Sequence, residues 1–123
     1  MCVCREMRNL KFTAVLKQNY EFRRLYAKGS SASTPLIVIY CRRHGRPYNR
    51  IGYTVSKKVG KAVVRNRIRR RFREIYRLHE ENFACGYDVI LVARKNAVQA
   101  SYRELERDVI YLAKKLHLWE RGE

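Results

Sequence analysis

The sequence contains few acidic residues and no long apolar run. Asp and Glu number 11 against 28 Lys and Arg in a chain of 123 residues, a net charge of +17. The longest apolar runs, residues 36–39 and 89–93, fall far short of the ~20 residues that span a membrane. The polar and charged residues Arg5, Glu6, Arg8 and Asn9 interrupt the first ten positions, where a secretory signal would be apolar. We therefore expect a cytoplasmic protein without a membrane partner.

The cysteines do not have the number and spacing of a disulfide framework. There are 4 of them, Cys2, Cys4, Cys41 and Cys85. Cys2 and Cys4 are closer together than the two-residue spacing of a zinc knuckle, and no second pair with suitable spacing follows. We therefore expect free thiols and no metal bound by protein side chains.

The sequence also lacks the residue groups of a protein nuclease. A metal-dependent nuclease clusters carboxylates around its ions, whereas the acids before residue 78 are scattered: Glu6, Glu21 and Glu74. Cleavage by a histidine pair requires neighbouring rings, but the histidines lie far apart in sequence: His44, His79 and His117. These patterns predict no catalytic residues in the protein.

The positive charge is concentrated in part of the chain. Residues 1–56 have a net charge of +9, residues 57–77 have +9, and residues 78–123 have −1. A stretch of 21 residues therefore supplies about half of the net charge. A local concentration of this kind indicates a polyanionic partner.

Hydrophobic periodicity predicts the order helix, two strands, long helix, strand, helix. We expect a short helix from Asn19 to just before Gly29, strands over residues 36–41, 50–56 and 87–94, a loop over residues 30–35, and a basic hairpin loop over residues 42–49. Residues 1–18 are predicted to be irregular. Ser101 and Glu104 form a capping-box pattern at the start of the last helix. Its apolar stripe is Tyr102, Leu105, Val109, Leu112, Leu116 and Trp119.

The segment of residues 57–77 is predicted to form an amphipathic basic helix. Its apolar side chains fall within an arc of about 80°: Val64, Ile68, Phe72 and Ile75. The opposite arc, named the basic face, spans about 140° and comprises Arg65, Asn66, Arg69, Arg70, Arg73 and Arg77. Like charges at i, i+4 repel, so a solvated helix would normally mix signs. The basic face therefore predicts nucleic-acid binding.

Three aromatic residues predict an RNA-binding cleft. Phe22, Tyr26 and Tyr40, named the aromatic cleft, lie among the cations Arg23, Arg24 and Lys28. Unpaired bases stack on aromatic rings beside cations, which favours RNA over DNA. The alternative, that the three rings belong to the core, has equal weight on the pattern alone.

Residues 55–67, Val-Ser-Lys-Lys-Val-Gly-Lys-Ala-Val-Val-Arg-Asn-Arg, resemble the signature of the bacterial ribonuclease P protein subunit. The resemblance covers residues 9–118. It implies an α+β fold, a two-layer α/β sandwich whose mixed sheet has about four strands and an unusual left-handed βαβ crossover. The expected domain spans residues 9–119, with a flexible segment at 1–8 and a tail at 120–123.

The resemblance also implies function. The protein would join a catalytic RNA to remove the 5′ leader of precursor tRNA, with Mg²⁺ bound mainly by the RNA and the chemistry performed there. The expected leader-binding residues are Phe22, Tyr26, Tyr40, Lys57 and Lys58. The expected contacts to the catalytic RNA are Arg65, Asn66, Arg67, Arg69, Arg70 and Arg73. No DNA partner and no protein oligomer are expected. The alternatives are a structural RNA-binding protein and a DNA-binding regulator.

Overall fold

The computed structural model describes residues 13–16 and 19–119. Its strands are β1 (Thr13–Val15), β2 (Ser30–Ser33), β3 (Ile37–Arg43), β4 (Asn49–Thr54) and β5 (Tyr87–Ala93). Its α-helices are α1 (Asn19–Lys28), α2 (Ala62–His79) and α3 (Tyr102–Lys115), with short 3-10 helices at Glu80–Asn82 and Lys95–Gln99. None of the described helices is both long and apolar enough to cross a membrane. The predicted segments 1–8 and 120–123 lie outside the described residues.

The strands form one mixed sheet in the order β1-β4-β5-β3-β2. β4 runs parallel to β1 and β5, whereas β3 runs antiparallel to β5 and β2. The sheet and the three helices confirm the α+β class. Two strands were not predicted: residues 30–33 form an edge strand rather than a loop, and residues 13–15 form a strand in a segment expected to be irregular. β1 is held by parallel pairing with the distant β4, whereas β2 pairs with β3, the next strand in the chain. Three residues are too few to show a strand pattern, and the small residues of β2 lack the β-branched and aromatic side chains that are typical of strands.

The segment of residues 42–49 is not a hairpin. β5 is inserted between β3 and β4, so the strands on either side of this segment are not paired with each other. Its first residues, Arg42 and Arg43, are the end of β3 and pair with the start of β5, and Asn49 begins β4. Residues 44–48 connect the two strands past the start of β5, and the whole segment of residues 42–49 is named the basic loop. There the backbone N–H of His44 donates to the carbonyl of Gly86 at 2.7 Å. The turn residues predicted a reversal of the chain correctly but could not show a third strand entering it.

β4 and β5 are parallel neighbours connected through α2. This is the βαβ unit for which a left-handed crossover is expected. The handedness of the crossover stays a prediction. Because α2 returns from the end of β4 to the start of β5, the helix runs opposite to these strands. The first turns of α2 therefore lie at the Thr54 end of the sheet, and its last turn lies near the basic loop.

The helices pack on both faces of the sheet. Val89 and Leu91 belong to the main core, which includes buried residues of α2 and α3. Ile90, between them, belongs to a smaller apolar cluster with Leu16 and Leu25 of the α1 side. Since neighbouring residues of a strand point to opposite faces, α1 covers one face and α2 with α3 covers the other. The two predicted RNA-binding regions therefore lie on different sides of the domain.

The apolar stripe of α2 is buried as the sequence predicts. Ile68, Phe72 and Ile75 are at most 1% exposed. Tyr76 is also buried, which the stripe did not predict. Its hydroxyl lies 2.6 Å from that of Thr13, which donates to Glu80. This polar network fastens the end of α2 to β1, because the buried hydroxyls satisfy each other.

Helix α3 begins with the predicted capping box. The backbone N–H of Ser101 donates to the Glu104 carboxylate at 2.9 Å, and that of Glu104 donates to Ser101 Oγ at 3.1 Å. The helix ends at Lys115 and does not extend to Trp119, so the predicted stripe is too long. His117 has a φ of 63°, which turns the chain away from the helix. Trp119 nevertheless packs against the core.

The described cysteines differ in oxidation state. Cys41 is free and buried, and burial raises its pKa to about 11, so the thiol stays protonated at neutral pH. Cys85 is disulfide-bonded, so the expectation of free thiols is wrong for this residue. Cys2 and Cys4 lie outside the described residues. Because spacing in sequence does not give distance in space, the pattern could not reveal this bond.

Candidate nucleic-acid interface

The basic face of α2 contains arginines with and without an acidic partner among the described residues. Arg70 and Arg73 are exposed, and neither forms an ion pair with an acid among the described residues. The single acidic residue of α2, Glu74, pairs with Arg77 at 2.5 Å. Asn66 accepts a hydrogen bond from Arg69 at 3.0 Å. The helix therefore offers fixed positive charge and hydrogen-bond donors over several turns.

Two arginines beside the basic face make contacts within the protein. Arg71 donates to the carbonyl of Ala100 at 3.0 Å, and Arg67 donates to that of Val98 at 3.5 Å. The Nε atom of Arg67 is buried and has no hydrogen-bond partner among the described residues. Arg67, expected to contact RNA, thus has part of its guanidinium turned toward the segment before α3. Its remaining donors stay available because the side chain is only partly buried.

The three residues of the aromatic cleft lie together on the α1 face of the sheet. The rings of Tyr26 and Tyr40 meet edge to face, with centroids 4.9 Å apart. Phe22 and Tyr40 pack against the cluster of Leu16, Leu25 and Ile90. Tyr26 is 40% exposed, while the other two rings are partly buried. The rings therefore contribute to packing and still present surface to a ligand.

Gly52 and Thr54 also belong to this cleft, although no sequence motif pointed to them. A Cβ atom on Gly52 would lie 2.6 Å from Phe22 Cε1, so glycine is what allows the ring to rest on β4. The Thr54 hydroxyl lies 3.1 Å from that of Tyr26. Because alternate residues of a strand share a face, the sequence of β4 could have shown that Gly52 and Thr54 lie on the same side of the sheet.

The floor of the cleft extends across the sheet. In the strand register, Thr54 is paired with Val92, Val92 with Val38, and Val38 with Ser33. Val38 and Val92 are only partly buried, so this row is accessible. Four strands at about 4.8 Å spacing make a track of about 14 Å. That length suits a short single-stranded segment.

Lys57 and Lys58 lie just beyond this end of the sheet. Both are exposed, in a turn between β4 and α2 rather than in the helix itself. The turn is closed by a hydrogen bond from the Val59 N–H to the Ser56 carbonyl at 3.0 Å, and Val59 is buried. The anchored turn keeps the two ammonium groups near the Thr54 end of the cleft.

An ion-pair cluster holds α1 on the sheet at the other side of the cleft. Arg50 donates two hydrogen bonds of 2.8 Å to Asp88 and pairs with Glu21 of α1 at 2.5 Å. The bond to Asp88 raises the pKa of Arg50, which therefore stays charged. Such a bidentate pair is geometrically specific. The cluster fixes the position of α1 and with it the position of Phe22 and Tyr26.

His44 gives the cluster a pH dependence. Burial lowers the pKa of His44 below 6.5, although Asp88, 3.5 Å away, favours the charged form. The folded protein therefore binds a proton less readily than the unfolded chain, and we expect stability to fall as the pH drops below about 6.5. Urea unfolding between about pH 8 and pH 5 should show a smaller loss in His44→Gln than in the unaltered protein. Equal losses would contradict the assignment.

The described residues contain no group of three or more His, Cys, Asp or Glu side chains that could hold a metal ion. The acids on the α1 face, Glu21 and Asp88, are engaged by Arg50. These side chains do not fit a protein-held Mg²⁺ site.

Known proteins match this chain over most of its length. A family model described as Ribonuclease P matches residues 10–117. A ribonuclease P protein component of Alkaliphilus oremlandii is 47% identical over 103 residues, which is 84% of this chain and 90% of the relative. One of Clostridium botulinum is 41% identical over 105 residues, 85% of this chain and 95% of the relative.

Solved structures give the same result. The ribonuclease P protein of Staphylococcus aureus superposes with a TM-score of 0.75 at 30% identity, covering 86% of this chain and 97% of the other. That of Thermotoga maritima gives a TM-score of 0.76 at 27% identity, covering 81% and 94%. Because the family match, the sequence relatives and the fold agree, the chain belongs to the bacterial ribonuclease P protein family.

Proposed function

We propose that this subunit of ribonuclease P binds two RNAs with two separate surfaces, the catalytic RNA through the basic face and the precursor tRNA leader through the aromatic cleft. As a family member, the chain is part of an endoribonuclease holoenzyme that works with a ribonuclease P RNA and acts on precursor tRNA. The observation behind the division of roles is that the basic face and the cleft lie on opposite faces of one sheet.

The basic face suits a folded RNA. Its unpaired arginines, Arg70 and Arg73, are held at helical spacing by a buried apolar stripe. Arginine forms planar bidentate contacts with phosphate, and each contact releases condensed counterions. A rigid row of such groups fits a phosphate backbone of fixed shape. Arg65, Asn66, Arg67 and Arg69 would extend this contact toward the start of α2.

The aromatic cleft suits a single strand. Tyr26 and Tyr40 offer ring surface, and the partly buried Val38 and Val92 offer an apolar floor. Base stacking on aromatic rings tolerates any sequence, as a surface that meets different leaders requires. Lys57 and Lys58, at the Thr54 end, would contact the phosphates. A double-stranded RNA would not expose its bases to these rings.

The chemistry is assigned to the RNA subunit, with Mg²⁺ bound mainly by RNA. Glu21 and Asp88 are paired with Arg50, and Glu74 is paired with Arg77, so these acids are engaged by arginine. The protein would instead place positive charge between two polyanions. That charge lowers the repulsion between catalytic RNA and precursor tRNA, which free Mg²⁺ would otherwise screen.

Reconstitution at low Mg²⁺ tests this function. The full chain, added to a bacterial ribonuclease P RNA, should accelerate the cleavage of precursor tRNA at the 5′ end of the mature sequence. The acceleration should shrink as Mg²⁺ is raised, because the ion then supplies the same screening. If the protein bound the RNA without any acceleration, it would instead be a structural RNA-binding protein. Preferential binding to one DNA duplex over random duplex would favour the regulator.

A further inference from the structure

The basic loop of residues 42–49 presents a third group of cations. Arg42, Arg43 and Arg46 are exposed, and none of them forms an ion pair with an acid among the described residues. The nearby carboxylate of Asp88 is occupied by two hydrogen bonds from Arg50. We propose that the basic loop is a second docking surface for the catalytic RNA, binding a part of its phosphate backbone that the first turns of α2 do not reach. The proposal rests on the proposed function.

The basic loop is built rigidly. The N–H groups of His44 and Gly45 both donate to the carbonyl of Gly86, at 2.7 and 3.2 Å. Gly45 and Gly86 have φ values of 77° and 94°, a conformation that favours glycine. The backbone N–H of Arg46 donates to His44 Nδ1 at 3.0 Å. A loop fixed in this way loses little conformational entropy when it binds.

Side-chain contacts also hold the exposed residues of the loop in place. The Arg46 guanidinium donates to the Tyr48 hydroxyl at 3.1 Å, and the rings of His44 and Tyr48 lie 5.5 Å apart. The arginine is thus oriented by a neutral partner and keeps its full charge for a ligand. None of the exposed large apolar residues of the described chain lies in this loop. It therefore suits a phosphate backbone better than a lipid surface, which needs apolar side chains to insert.

The basic loop lies far from the start of α2. It adjoins the start of β5, where α2 ends, whereas Arg65 lies in the first turn of a helix of 18 residues. Such a helix is about 27 Å long, several times the Debye length of about 8 Å at physiological salt. The loop and the first turn of α2 must therefore attract different phosphates.

The position of α1 indicates which of the two RNAs, leader or catalytic RNA, the basic loop can contact. Its Glu21 is joined to Arg50 of β4, and Arg50 is joined to Asp88 of β5. This bridge lies between the aromatic cleft and the basic loop on the α1 face. A leader lying along the row from Thr54 to Ser33 would run across the sheet and not toward the loop. The catalytic RNA is therefore the partner that the loop can reach.

The experiment measures assembly of the full chain with the catalytic RNA over a range of KCl at fixed Mg²⁺, without tRNA. A triple variant, Arg42→Gln, Arg43→Gln and Arg46→Gln, should reduce the slope of log K against log[salt] by about three, one for each lost phosphate contact. A matched variant with three exposed α3 cations replaced, Arg103→Gln, Lys114→Gln and Lys115→Gln, should keep the slope. Thermal unfolding of both variants confirms that they fold.

Each other outcome overturns the inference. An unchanged slope in the loop variant would mean that its arginines are merely solvated. Equal slope losses in both triple variants would mean a general charge effect. In a second series with precursor tRNA added, a loss seen only there, and growing with leader length, would assign the loop to the leader. Substitutions on the basic face, measured in the same assay, distinguish this inference from the proposed function. If they weaken assembly with the catalytic RNA while the loop variant has no effect, only the inference about the loop is contradicted.

Discussion

Replacing Phe22 with alanine should weaken binding of precursor tRNA to the holoenzyme by about fivefold to a hundredfold, because one stacked base contributes about 1–3 kcal/mol. Binding of mature tRNA, which lacks a leader, should not change. The measurement is the ratio of the two affinities, which cancels any effect on the tRNA body. Tyr20→Ala is a matched control on α1, since Tyr20 is exposed and the Arg24 guanidinium lies over its ring.

Gly52→Ala tests the same cleft while leaving every aromatic ring in the protein. The new methyl group would lie 2.6 and 2.7 Å from two Phe22 carbons, so the ring must move off β4. We expect the same selective loss for precursor tRNA as with Phe22→Ala. Overpacking of this kind costs about 1–3 kcal/mol of stability, which urea unfolding will show. Equal weakening of precursor and mature tRNA by both variants would remove the leader from the cleft.

Local signals predicted the parts of this fold that depend on neighbours in sequence. The capping box of Ser101 and Glu104 and the buried stripe through Ile68 and Phe72 follow from spacing alone. In the same way, alternation along β4 assigns Gly52 and Thr54 to one face of the strand, although their contacts with α1 depend on the fold. These features require no knowledge of which strand lies next to which.

The remaining features depend on contacts between distant segments. Arg50 joins Glu21 and Asp88, residues 29 and 38 positions away. Thr13 reaches Glu80 across 67 positions, and this contact helps to fix a strand that its own three residues do not predict. The insertion of β5 between β3 and β4 has the same origin. Pairing of this kind is decided by the whole sheet, so composition and periodicity cannot show it.

The same limit applies to the choice of functional arginines. On the sequence, Arg67 and Arg70 belong to one cationic series, yet Arg67 donates to the Val98 carbonyl whereas Arg70 is exposed. Only the packing of the segment before α3 separates them. The structure therefore makes Arg70 and Arg73 the sharpest test of the basic face.

A double variant, Arg70→Gln with Arg73→Gln, should lose most of its affinity for the catalytic RNA at low salt. Each phosphate contact strengthens binding by about five- to eightfold for every tenfold dilution of salt. Loss of two contacts should therefore weaken assembly by about 25- to 60-fold at 0.1 M relative to 1 M salt. The slope of log K against log[salt] should fall by about two.

Arg77→Gln is the control on the same helix, because Arg77 is exposed but already paired with Glu74 at 2.5 Å. Its removal should leave the salt slope nearly unchanged. A screened pair offers little net charge to a phosphate, so the contrast between the two variants separates available charge from total charge. If Arg77→Gln lowered the slope as much per residue as the double variant, the basic face would act through overall charge and not through placed arginines. A slope unchanged in both variants would remove the basic face from the interface.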